Sequence, residues 1–439
     1  MSELSYEEGR DIMPMQTRDQ LGQFYRQHLD TAILPFWLAH SIDEECGGFF
    51  TCFDNSSDRL ASTDKYTWSQ GRFVWLWSRL SAMAGAGLIE QDPAMLLRLA
   101  ASGFAFLNRH VFLDNGNCAY VLERDGTRKE SVPGQGFDTS FYADCFVIVG
   151  FAEYARVGHD RYPLDRAVAL YDRVTERLAT GTPRSEPYPI PDGYAAHSVP
   201  MIMLNVSQEL ANALKAFDHP RGAVIRSRAM AYMREIMERF HQEDDCIAEI
   251  LPLKGQSTDT ALCRHVTPGH ALESMWFVMT EAERAGRHDW IEVAARVIKR
   301  ASALGWDAEY GGLFRYVDRE GGMPRGERVG GAYERLVVDT WDTKIWWPHA
   351  EALYAPLLAY ALTGDDDLLA LHSRIHDYVF ATFPNPNADI GEWIQIRDRA
   401  GRPMDKVVAL PVKDPFHIMR SLLLLVELLN GQRAFPGAV

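Results

Sequence analysis

Apolar side chains recur at three- and four-residue spacing in about a dozen separate stretches of this 439-residue chain, and that repetition restricts the fold more than any other feature. Residues 18–40 show it well: Leu21, Phe24, Tyr25, Leu29, Ile33 and Phe36 fall on one face of a helix. Similar patterns occupy 68–86, 94–110, 138–157, 161–180, 200–217, 222–240, 269–286, 289–304, 344–363, 366–382 and 415–430. Between pairs of them lie short Gly- and aromatic-rich segments, "CGGFFTCFD" (46–54), "NCAYVLERDG" (117–126), "CIAEILPL" (246–253), "YGGLFRYVDREG" (310–321) and "IGEWIQIRDRAG" (390–401). They recur roughly every 65 to 80 residues, with the proline-rich "PYPIPDGYAAH" (187–197) dividing one gap of about twice that length, and a fixed internal period marks a repeat architecture. Six helical hairpins, each followed by a short β-like excursion, close into an all-α (α/α)6 barrel with these segments at the pocket rim. No linker-like composition or charge run divides the chain, so 1–439 is expected to form a single domain, with 1–17 as an N-terminal extension.

The charge balance narrows the partners. Sixty acidic residues stand against 45 basic ones, for a net charge of −15, with no clustered Lys/Arg run. Nucleic acid and acidic membrane surfaces call for such clusters, so a small neutral ligand is expected instead. The longest apolar run, 421–429, is too short to span a bilayer. The first twenty residues lack the basic and apolar regions of a signal peptide, so a soluble, cytoplasmic protein is expected. The six cysteines form neither a C-x-x-C pair nor a zinc-like spacing and are expected to be reduced and mostly buried, so no metal site is expected.

Two helix starts share a local arrangement. In "TPGHALE", Thr267 takes the N-cap position and Pro268 the first helical one, placing His270 third; in "DPFH", Asp414, Pro415 and His417 repeat the pattern. In a ring of hairpins such positions face a central pocket. The positive end of the helix dipole opposes an added proton there, so both imidazoles are expected to be neutral near pH 7, the state a general base requires.

The stretches "GGFFTCFD", "DKYTWSQGRFVWLWSRL" (64–80), "SFYADCFVIVGFAEYAR" (140–156), "VPMIMLNVSQEL" (199–210), "TPGHALESMWF" (267–277), "GWDAEYGGLFRYVD" (305–318), "KIWWPHAEAL" (344–353) and "FHIMR" (416–420) together resemble the N-acylglucosamine 2-epimerase family, which includes cellobiose 2-epimerases and aldose–ketose isomerases. The resemblance runs in order from about residue 20 to about 430. It implies an (α/α)6 barrel and a cofactor-free reaction on the open-chain form of a reducing sugar, most simply N-acylglucosamine/N-acylmannosamine interconversion. It also implies His270 and His417 as the acid/base pair and places Arg72, from the Gln-Gly-Arg motif, at the reacting carbonyl. A homodimer is the oligomeric state it suggests, and no nucleotide requirement is expected.

Those residue types suit the chemistry. Removing the proton next to an aldehyde puts negative charge on the carbonyl oxygen, which a permanently charged guanidinium stabilises. One imidazole takes the proton and the other returns one to the opposite face, which inverts C2. Return of the proton to the neighbouring carbon by the same base gives a ketose instead.

Further expectations are less direct. Glu273, one turn after His270, is placed to orient that imidazole. His349 and His197 are candidates for substrate contact, Trp393 and Trp346 for stacking on a sugar face, and Tyr66 and Asn205 lie within the matching stretches. The segment 391–417 departs from the family's usual pattern and is expected to shape the pocket mouth. Two other classes stay open. An (α/α)6-barrel glycoside hydrolase would use a carboxylate pair drawn from Asp138, Asp342 and Glu392, while a non-catalytic binding protein would need neither histidine.

Overall fold

The computed structural model describes residues 15–181, 183–405 and 413–431. Helix α1 (Met15–His28) passes through a π turn at Leu29–Ile33 into α2 (Leu34–His40). There follow α3 (Thr67–Gly85), α4 (Pro93–His110), α5 (Phe141–Gly158), α6 (Arg161–Thr180), α7 (Ser198–Ala216) and α8 (Gly222–Glu235). The remainder are α9 (Ala261–Arg264), α10 (Pro268–Arg284), α11 (His288–Gly305), α12 (Ala332–Asp339), α13 (Trp346–Thr363), α14 (Asp366–Thr382) and α15 (Phe416–Leu429). Every periodic stretch is a helix, and the short α9 and α12 are additions that the pattern did not announce. Residues 15–17 of the expected extension already belong to α1; residues 1–14 lie outside the described residues.

Six helices are buried nearly all round and contact one another in a closed cycle, α3, α5, α7, α10, α13, α15 and back to α3. Each packs against an outer partner with one apolar face: α4, α6, α8, α11 and α14 on the first five, α1 on α15. That is an (α/α)6 barrel. A continuous apolar cluster extends from Tyr25 to Leu429 and fills the space between the two rings. None of the described helices is long and apolar enough to cross a membrane.

Among the described residues, nine short strands hold the hairpins at one end: β1 (Lys65–Tyr66), β2 (Val121–Leu122), β3 (Arg128–Lys129), β4 (Tyr194–Ala196), β5 (Ile250–Pro252), β6 (His265–Val266), β7 (Val317–Asp318), β8 (Lys344–Ile345) and β9 (Ile396–Arg397). Their pairing follows a rule. The run-in to an inner helix pairs antiparallel with the segment after its outer partner, as in β1 with β2, β4 with β5, β6 with β7 and β8 with β9. A single bridge from Ser140 to Ser185 does the same for α5 and α6. Each clip therefore fixes the N-terminus of an inner helix.

The glycine-rich segments pin these clips with buried ion pairs. Lys65 reaches Asp43 at 2.9 Å and the Gly47 carbonyl at 2.5 Å, while Arg124 closes on the same aspartate at 3.0 Å. Lys344, Asp307, the Gly311 carbonyl and Arg399 repeat this arrangement on the other side of the ring. The six cysteines are free thiols, four of them buried.

Candidate active site

A cavity of about 290 Å³ lies at the end of the barrel where the inner helices begin. Arg72 enters from α3, Asn205 from α7, His270 and Glu273 from α10, Trp346 and Trp347 from α13, and His417 and Arg420 from α15. Helices α3, α5, α7, α10 and α13 start without a side-chain cap, as do the outer α8 and α11. The outer helices α4, α6 and α14 are capped by Asp92, Asp160 and Asp365. Just before α15, Asp414 accepts from the Phe416 amide at 2.8 Å and also pairs with Arg72, so one carboxylate both bonds the first amide of the helix and holds the guanidinium.

The two histidines are held alike but biased differently. His270 Nδ1 is 2.9 Å from Glu249 Oε1, and the side chain is 27% exposed toward the cavity. Burial opposes a charged imidazole there, but the charge and hydrogen bond of Glu249 outweigh it and raise the His270 pKa above the ordinary 6.5. A helix end is expected to disfavour the proton here; the shift runs upward instead, because a buried carboxylate in direct contact is stronger than a helix end. His417 Nδ1 lies 2.7 Å from Glu351 Oε1. Burial, joined by the charges of Arg420 and Arg72 and opposed by Glu273, holds its pKa down at about 3. A carboxylate only accepts, so each Nδ1 is the protonated nitrogen, and Nε2 is left for the cavity.

Arg420 contributes to the difference. Its Nη2 donates to Glu351 at 2.6 Å and also to Glu273, offsetting part of the carboxylate charge near His417. Among the described residues, Glu249 has ion-pair contacts only with His270 and His197, so its charge acts fully on His270. Glu273, Glu351 and His417 bring potential metal ligands within 4.8 Å of one another, but Arg420 already bonds both carboxylates and takes the place of a cation.

Trp347 packs beside both imidazoles, its ring centroid 5.0 Å from that of His270 and 5.7 Å from that of His417. Its approach depends on Gly269, where an added Cβ would stand 2.4 Å from the indole Cζ3. Arg72 lies over the Phe146 ring at 4.0 Å, and its buried Nε–H has no hydrogen-bond partner among the described residues; neither has the Trp346 Nε1–H.

Several expected contacts fall elsewhere. Glu273 bonds Arg420 on the His417 side and does not orient His270; that place belongs to Glu249. His349 is fully buried behind the wall, taking the Leu313 amide at 2.8 Å and lying 2.7 Å from the Ile345 carbonyl, with burial lowering its pKa to about 3. Trp393 is buried against Phe383 and donates to His28 at 2.8 Å, far from any sugar-stacking position. His197 is also buried, behind Glu249, and Tyr66 packs edge-on against Tyr120 outside the cavity lining. Trp346 and Asn205 do line the cavity, whereas Asp138, Asp342 and Glu392 do not; Glu392 instead bonds Trp37 and the Trp393 amide. Of the divergent segment expected at the pocket mouth, 406–412 lies outside the described residues, and Asp414 and His417 reach the cavity.

A second cavity of about 240 Å³ shares Asn205 and Arg420 with the first. It is otherwise lined by residues one to three turns further along the same helices, among them Arg79, Glu153 and Glu209, so it lies toward the other end of the barrel.

The profile of the N-acylglucosamine 2-epimerase (GlcNAc 2-epimerase) family matches residues 48–421. The bovine (Bos taurus) N-acylglucosamine 2-epimerase is 31% identical over 410 residues, covering 91% of this chain and 89% of that protein. Among solved structures, the cellobiose 2-epimerase of Spirochaeta thermophila DSM 6192 superposes with a TM-score of 0.73 at 18% identity, covering 95% of this chain and 98% of that one. A D-mannose isomerase superposes at 0.71 and 17% identity, covering 96% and 100%.

Proposed function

Because this chain belongs to the N-acylglucosamine 2-epimerase family, we propose that it is a sugar 2-epimerase that interconverts an N-acylglucosamine with the corresponding N-acylmannosamine. The observation that carries this reading is the pair of imidazoles lining one cavity beside Trp347, each held through Nδ1 by a buried glutamate and each with Nε2 available to that cavity.

The open-chain sugar lies with C2 between the two rings and its C1 oxygen toward Arg72. One Nε2 takes the C2 proton, the C1–C2 double bond forms, and the carbonyl electrons move to oxygen beside the guanidinium. The oxyanion then collapses while the other Nε2 protonates C2 from the opposite face. Only protons move, so the reaction has no need of a redox cofactor. An acyl-amino group at C2 favours this outcome over the ketose, because C2 already carries nitrogen.

Proton NMR in D2O tests the reading. With N-acetylmannosamine or N-acetylglucosamine, deuterium is expected to enter C2 as the epimer's anomeric signals appear. His270→Asn and His417→Asn should each slow this by about 10²–10⁴-fold, the contribution of a positioned acid or base. A ketose from mannose, or product from cellobiose alone, would reassign the substrate. Sugar turnover undiminished in both histidine variants would sink the mechanism.

A further inference from the structure

The two histidines are chemically identical side chains at matching helix positions, and their surroundings make them different. Around His270 stand Glu249 from the segment before β5, Glu273 on its own helix, Arg315 from the segment before β7, His265 in β6 and the Trp347 ring of α13. Around His417 stand Glu351 from α13, Glu273 from α10, Arg72 from α3, and Asp414 and Arg420 on its own element. Two arginines therefore face His417, while the carboxylate touching His270 has no direct guanidinium partner among the described residues.

Glu249 is itself fixed from behind. The β4–β5 clip brings it beside His197, whose backbone N–H donates to the Glu249 carbonyl at 2.9 Å. The His197 ring is fully buried, with Nε2 3.0 Å from Ser274 Oγ and Nδ1 facing Glu249 Oε2 at 3.7 Å. Ser274 is on α10, one turn after His270, so the chain Ser274, His197, Glu249, His270 starts and ends on one helix. The His197 Nδ1 contact is longer than a hydrogen bond, so His197 braces Glu249 through the backbone bond and by packing behind its carboxylate, whose Oε1 stays on His270.

Resting on the two-histidine reading above, we propose that Glu249 is a positioning residue that, braced by His197 and Ser274, makes His270 the resting proton donor opposite a neutral His417 base. In the turnover this implies, His417 Nε2 takes the C2 proton and the C2–H electrons form the C1–C2 double bond. The C1 oxygen receives the carbonyl electron pair beside Arg72. As the carbonyl re-forms, C2 takes the Nε2 proton of the His270 imidazolium, leaving His270 neutral and His417 protonated. No atom or electron is unaccounted for, and one proton has crossed the cavity.

The test needs no sugar at first. Histidine side-chain ¹⁵N NMR of the full chain, assigned with His270→Asn and His417→Asn, should show His270 titrating above 6.5 and His417 well below it. Glu249→Gln should lower the His270 midpoint by at least one pH unit and leave His417 unchanged, and His197→Asn should move it in the same direction by less. The same Glu249→Gln protein should lose kcat with little change in KM, and the alkaline limb of its pH profile should move to lower pH; a merely structural role would move neither limb. An unchanged His270 midpoint in Glu249→Gln overturns the proposal. So does a wild-type His270 that titrates below His417, a result that stands even if the variant does not fold. Correct titrations with no exchange of any sugar C2 proton would instead overturn the proposed function, and exchange with the titration order reversed would overturn only the assignment made here.

Discussion

Arg420 works with burial to keep His417 neutral. It pairs with Glu273 and Glu351, offsetting part of the charge of two carboxylates that favour an imidazolium. Arg420→Met should raise the His417 pKa, lower kcat/KM about 100-fold at pH 7, and move the acidic limb of the pH profile to higher pH, since the base must lose its proton to work. Leaving two buried carboxylates without their partner should also cost about 3–5 kcal/mol in urea unfolding. The residues that bias the site were the hardest to read in the sequence. In "WWPHAEAL" the histidine attracted attention, yet Trp347 and Glu351 are four residues apart and share a helix face, whereas His349, two residues on from Trp347, points to the other side. Glu249 carried no such clue, because a strand too short to show alternation places it beside an α10 residue 21 positions later.

At the scale of elements, the inner helices approach closely wherever glycine permits it. A Cβ on Gly71 would stand 2.4 Å from the Phe146 carbonyl oxygen of α5, and one on Gly150 would stand 2.4 Å from the Gly71 carbonyl oxygen of α3. Neither backbone can yield without parting the two helices, and Arg72 rides on this contact. Gly71→Ala should therefore lose about 1–3 kcal/mol of unfolding free energy and some turnover, as expected for an overpacked interior. Gly85, near the end of the same α3, has nothing within 4 Å of the added carbon, so Gly85→Ala should gain about 0.5–1 kcal/mol. Urea titration of both variants checks the opposite signs. The long helices were legible because burial imprints a period on twelve or more residues. The clips were not, since two-residue strands carry no pattern and exist only once the hairpins bring their partners together.

For the molecule as a whole, buried neutral histidines set the acid limit of stability. Burial lowers His28 and His372 to about 4, and His349 and His417 to about 3, against an ordinary 6.5. Above 6.5 these rings are neutral folded or unfolded, and stability is independent of their titration. As pH falls below 6.5 the unfolded chain takes up protons that the folded one refuses, so stability declines progressively toward pH 3–4. The urea midpoint should be clearly lower at pH 5 than at pH 7, with His28→Gln reducing the slope. His28 and His372 lie where α1 meets the last hairpin, joined through Tyr25 and Trp393, so the ring should loosen first along that line. The unequal partners of His270 and His417 carry one more consequence. On the proposed mechanism, a turnover that begins with the proton on one ring ends with it on the other, so the free protein would come in two isomers, one for each sugar. The two products differ by the hand of a single carbon, and the protein that has just made one of them holds its proton on the opposite side of the cavity. With His417 held down and His270 held up, the return to the starting isomer is downhill, so the resting protein is poised for one sugar of the pair.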